Sequence, residues 1–191
     1  MRLAILDHGH GVRAKAMFAL IRVFSGHPVV DAVKLAFYRP GFYRGGGLTQ
    51  EAMRGPSDWS VADRELMAAF VSKVNNTEFC IVAHTATSAL AYGDGAKVSA
   101  TLADLETAPL TEPLRSTLRM LGKLTRENNV DPDDISTVLA AGVSEQQIKD
   151  ALAVAFAFNV TDRLADVFDF AVDDSAAIKA GAKYLLARGY R

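Results

Sequence analysis

Apolar residues recur at spacings of three and four along nearly the whole chain, and runs of alternating β-branched residues are almost absent. A helix repeats about every 3.6 residues and a strand every two, so this pattern confines the chain to an all-α fold. Abundant alanine points the same way, because it loses least on entering a helix.

Punctuation residues divide the pattern. Helices are expected over Val12 to Phe24 and Val29 to Tyr38, parted by Ser25-Gly26-His27-Pro28, where glycine ends one and proline opens the next. The following RPGFYRGGG, residues 39 to 47, reads as the longest irregular stretch, a connection or a binding loop. Ser60 with Asp63 forms a capping-box pattern ahead of a helix over 61 to 74. Asn75, Asn76 and Thr77 break that helix and offer caps for the next, 78 to 92, which stops at Gly93-Asp94-Gly95. Further helices are expected over 97 to 105 and 112 to 128, and from Asp131-Pro132 to Gly142. Ser144 with Gln147 opens 145 to 158, and 160 to 171 and 174 to 188 complete the series. The 191 residues are expected to form one domain: 1–56 with the first helices and the glycine-rich loop, 57–170 as the main body, and 171–191 as a closing helix.

Charge narrows the partners. Twenty-one basic residues face 22 acidic ones, with no basic block to follow a phosphate backbone, so nucleic acid is not expected as a partner. No stretch approaches the roughly 18 consecutive apolar residues of a membrane span, and the opening MRLAILDHGHG has too short an apolar run for a signal-peptide core. One cysteine makes no internal disulfide, which favours a reducing cytoplasm.

That cysteine lies in NNTEFCIVAHTA, residues 75 to 86. With Asn76 or Thr77 as cap, Cys80 falls in the first turn of a helix, where unpaired N–H groups and the dipole stabilise a thiolate. His84 lies one turn further on the same face, placed to take the thiol proton, and Thr87 continues a stripe of small residues. On the preceding helix Glu65 shares a face with Ala62, Ala69 and Ser72, so two antiparallel helices can bring its carboxylate to His84. A carboxylate behind a histidine orients the ring and raises its basicity. The same spacing also occurs in helices where the cysteine is inert packing, and the residues alone leave both readings open. Cys80, His84 and Glu65 are too few for an ordinary metal site, and no metal or other cofactor is expected. Asp7-His8-Gly9-His10-Gly11 has a metal-like spacing but reads better as a polar cap before the next helix. Tyr38, Phe42, Tyr43 and Trp59 bracket the glycine loop as core anchors or as walls of a channel to Cys80.

Residues 63 to 90, DRELMAAFVSKVNNTEFCIVAHTATSAL, resemble the core of the alkylhydroperoxidase D-like, or carboxymuconolactone decarboxylase-like, family, whose signature is a glutamate followed by Cys-x-x-Cys-x-x-x-His. Glu65, Cys80 and His84 match the glutamate, the second cysteine and the histidine. Residues 139 to 166 are similar to the tail of the family's peroxidase-related branch, and the likeness covers about residues 57 to 170. The resemblance implies an all-α fold and a homo-oligomer, trimeric or hexameric. It also implies a thiol peroxidase in which Cys80 attacks a hydroperoxide while His84 and Glu65 relay protons; from their positions in the chain, Thr77, Thr87, Tyr43 and Trp59 are the residues expected to line the site. Thr77 stands where the family has its first cysteine, so an external thiol would have to reduce the oxidised Cys80. Asp162 stands where asparagine is usual, and a local ion pair with Arg163 is expected there. The rival readings are non-redox proton transfer by Glu65 and His84 on a carbonyl or lactone substrate, and a helical binding protein without catalysis.

Overall fold

The computed structural model describes residues 4–43, 46–172 and 174–190, and among these the chain is helical with no strand. In chain order the helices are α1 (Ile5–His8), α2 (Val12–Ser25), α3 (Asp31–Tyr38), α4 (Pro40–Tyr43), α5 (Gly46–Arg54), α6 (Val61–Asn75), α7 (Glu78–Tyr92), α8 (Gly95–Ala103), α9 (Glu112–Glu127), α10 (Pro132–Ala140), α11 (Glu145–Val167) and α12 (Ser175–Arg188).

Helix α6 is the axis of the molecule. It packs against α5, α7, α8, α9 and α11, and Ala62 and every residue from Arg64 to Ser72 are buried. A helix covered on all sides has no polar stripe to keep, which explains its mixed periodicity. Leu66, Met67 and Val71 join Leu118 and Leu121 of α9 and Val154 and Phe158 of α11 in the larger apolar cluster. Each such side chain contributes about 1.5–3 kcal/mol on burial. A smaller cluster gathers Leu6, Leu35, Cys80, Ala165, Phe168 and Phe170, and joins α1 and α3 to the start of α7 and the end of α11. Helices α6 and α7 run antiparallel through the turn at Asn76, whose φ of 60° is left-handed. Small residues bring them close enough for the Ser88 hydroxyl to donate to the Ala62 carbonyl at 3.1 Å.

The capping boxes at Ser60–Asp63 and Ser144–Gln147 form as their spacing implies, and Asp131 caps α10 with Pro132 at its first position. Three expectations fail. Residues 39 to 47 are not an irregular loop in their described part, since Pro40 opens α4 and Gly46 begins α5; proline at a first helical position costs no hydrogen bond. Residues 145 to 158 and 160 to 171 are one helix, α11, that runs through Asn159-Val160-Thr161. These weak helix formers are held by tertiary bonds, Asn159 accepting from Asn75 at 3.0 Å. Gly11, not a polar side chain, caps α2. His10 is buried instead, its Nε2–H donating to the Lys34 carbonyl at 2.8 Å. No helix among the described residues is long and apolar enough to cross a membrane.

Candidate active site

Thr77 occupies the N-cap position of α7, but its hydroxyl does not cap the helix. It donates to Asp166 Oδ2 on α11 at 2.9 Å. Cys80 follows in the first turn, 1% exposed, and His84 in the second, 5% exposed.

One turn into α7 the site is built around a carboxylate. Glu65 has no exposed surface, and its Oε2 accepts from His84 Nδ1 at 2.7 Å. Arg54 of α5 donates to Oε1 at 2.5 Å, and the Tyr190 hydroxyl reaches Oε1 and Oε2 at 2.9 and 3.1 Å. Burial works to raise the Glu65 carboxyl, but the bond and charge of His84 and the Arg54 guanidinium outweigh it and hold the group below the usual glutamate range. With Nδ1–H donated to Glu65, His84 Nε2 carries the lone pair that can accept a proton. Phe158 meets the imidazole edge-on, ring centroids 4.5 Å apart, and forms an apolar wall.

Around Cys80 the chemistry differs. Burial first, then the Asp162 and Asp166 carboxylates, push its thiol far above the ordinary cysteine range. Asp162 is itself fully buried, accepting from Ser72 at 2.8 Å and from Asn75 at 2.8 Å. Burial raises its carboxyl against these bonds. The helix N-terminus was expected to favour a thiolate. That expectation gives way first to burial, which disfavours the charged thiol, and then to the two carboxylates of α11, which oppose the dipole there. The expected Asp162–Arg163 ion pair also gives way: Asp162 turns inward and Arg163 reaches the Asn75 side-chain oxygen at 3.5 Å.

Glu65 and His84 are therefore brought into contact across the α6–α7 pair, with Cys80 one turn before His84 on α7 and Thr77 bonded to Asp166. Thr87 is buried but turns its hydroxyl back to the Ala83 carbonyl at 2.8 Å. Trp59 is drawn into the larger cluster, its indole N–H donating to the Gln147 carbonyl at 2.8 Å, and stands as a core anchor rather than a wall at Cys80. The side chains of Phe42 and Tyr43 lie outside the described residues. No group of three or more histidine, cysteine or acidic side chains able to hold a metal occurs among the described residues. Sequence reasoning missed Arg54, Tyr190 and Asp166. Arg54 is delivered by a helix that glycine content concealed, and Tyr190 by a contact spanning 125 residues, for which no local signal exists.

No family model matches the chain, and no curated protein matches it significantly. Solved structures do. An uncharacterized peroxidase-related protein from Silicibacter sp. TM1040 superposes with a TM-score of 0.76 over 90% of both chains at 22% identity. An alkylhydroperoxidase AhpD core, an uncharacterized peroxidase-related protein from Ralstonia eutropha JMP134, gives a TM-score of 0.75 over 90% of this chain and 91% of that one at 17% identity. The chain thus has the all-α fold of alkylhydroperoxidase D-like, peroxidase-related proteins.

Proposed function

We propose that the chain is an enzyme of general acid–base chemistry, in which His84 Nε2 removes a proton next to a carbonyl and returns it elsewhere on the substrate. The observation that carries this reading is the buried Glu65–His84 pair at 2.7 Å, set beside a thiol whose ionisation is disfavoured by burial and then by two carboxylates. The carboxylate stabilises the imidazolium that forms during transfer, and the Phe158 wall keeps the ring away from water. Cys80 packs the site and takes no part in bond making.

A second reading, thiol peroxidase, is favoured by the position of Cys80 one turn from His84 and by the peroxidase-related name of both structural neighbours. In that case the thiolate forms an S–O bond as the O–O bond of the hydroperoxide breaks. The alcohol leaves with a proton from His84, and two equivalents of an external thiol reduce the sulfenic acid to thiol and water. With Thr77 in place of a second cysteine, no internal disulfide intervenes. Either reading fits a reducing cytoplasm and a homo-oligomer; α2 buries none of its residues and exposes Val12, Val23 and Phe24, apolar surface of the kind subunit contacts cover.

Deuterium exchange next to the carbonyl of small keto acids and lactones, run beside dithiol-dependent hydroperoxide reduction, separates the two. Exchange that survives Cys80→Ser and disappears in His84→Ala supports acid–base chemistry. Hydroperoxide turnover abolished by Cys80→Ser, with no exchange in the native protein, replaces it with the peroxidase.

A further inference from the structure

The C-terminal end of α12 closes on the Glu65–His84 pair, and two contacts and a turn seat it there. Arg54 donates to the Leu185 carbonyl at 3.1 Å. The Tyr190 backbone N–H donates to Gln50 Oε1 at 2.7 Å. Between them Gly189 turns the chain at φ +69°, where an added Cβ would come within 2.4 Å of the same Gln50 oxygen. The left-handed angle favours glycine, and an added Cβ would also push the Gln50 amide from its place.

The turn delivers one phenol. Tyr190 is partly buried as a residue, with its hydroxyl directed inward, 2.9 and 3.1 Å from the two Glu65 oxygens and 3.3 Å from His84 Nδ1. Its ring lies nearly parallel to the imidazole, at 17°, and the Arg54 guanidinium carbon stands 5.1 Å from its centroid. The hydroxyl can therefore donate to the carboxylate on the edge it shares with His84. A carboxylate fixed by a cation on one oxygen, an imidazole on the other and a phenol across both has no freedom to rotate away from the histidine.

We propose that Tyr190 is a positioning residue of this site, its hydroxyl locking the Glu65 carboxylate against His84 and its turn sealing the pair from solvent. The inference rests on Glu65–His84 being the working pair, but its test does not depend on turnover. In a carbon-13 pH titration of the glutamate carboxyls, the Glu65 resonance is the one absent from Glu65→Gln. In Tyr190→Phe, which keeps the ring and its contact with Arg54, the Glu65 midpoint should rise by about half a pH unit or more, because a donor to the charged form is lost. Gly189→Ala, which retains the phenol but cannot seat the turn, should raise it likewise. An unchanged midpoint in Tyr190→Phe overturns the role of the hydroxyl, and a shift there without one in Gly189→Ala overturns the role of the turn. Where an acid–base activity is found, the acid limb of its pH profile should move with the carboxyl, whereas a merely structural tyrosine would lower the rate at all pH values alike. Absence of any activity in the native protein removes the proposed function and leaves this titration to be read by itself.

Discussion

Two buried clusters lie one helical turn apart on α7 and solve opposite problems. At His84 a carboxylate is surrounded by an arginine, an imidazole and a phenol, all able to donate, and its charge is held. At Cys80 a thiol is surrounded by the carboxylates of Asp162 and Asp166 and by neutral donors, and its charge is suppressed. Burial is equally deep at both. Burial opposes the charge at both; at Glu65 the donors outweigh it, and at Cys80 the carboxylates add to it.

The largest effect should come from removing the charge that the first cluster is built to hold. Glu65→Gln leaves Arg54 in a buried site without its anion, and denaturant unfolding should show a loss of roughly 3–5 kcal/mol. A loss below about 1 kcal/mol would mean that Arg54 finds other partners and that the cluster is not electrostatically closed.

The second cluster can be turned toward the first by a single atom change. Asp162→Asn keeps the shape and removes the carboxylate nearest the thiol, so the thiolate absorbance of Cys80 should appear one to two pH units lower, as about that much is exerted by an adjacent charge. An unmoved midpoint would assign the suppression to burial alone and dissolve the contrast.

Acid separates the clusters without mutation. Glu65 is held below its unfolded value of about 4.3, so the stability it adds is full above that value and is lost as pH falls through the folded one. Cys80 is held above its unfolded value of about 8.5, so its protonated state favours the fold below that pH and the advantage is lost as pH rises beyond it. Unfolding measured across pH should show the acid slope diminished in Glu65→Gln and the alkaline slope diminished in Cys80→Ala. The smallest effect belongs to Thr77→Val, which removes one hydrogen bond to Asp166 and should cost about 1 kcal/mol in the same assay.

The all-α class and most helix ends were legible because capping is local chemistry: Ser60 with Asp63, or Ser144 with Gln147, act within a single turn. The meeting of Glu65 and His84 was legible too, since helix periodicity and a short turn place both on facing stripes of two antiparallel neighbours. What sequence could not reveal was the sign of the field at Cys80. The first-turn position argued for a thiolate, and only the folded α11 shows that Asp162 and Asp166 arrive there. Their arrival depends on Asn159-Val160-Thr161 staying helical, which local propensity argues against. Arg54 was hidden for a related reason, as the glycines before it masked α5.

The continuity of α11 also bears on how such a protein can diverge. Loops absorb insertions and deletions, but a residue gained or lost within α11 between its start and Asn159 would rotate everything beyond it by about 100°. Asp162 and Asp166 would swing off Cys80 and Thr77 together, and Asn159 off Asn75 with them. Point substitution at one carboxylate leaves the other in register. Descendants of this chain can thus explore thiol acidity one residue at a time, while length changes in α11 are barred to them.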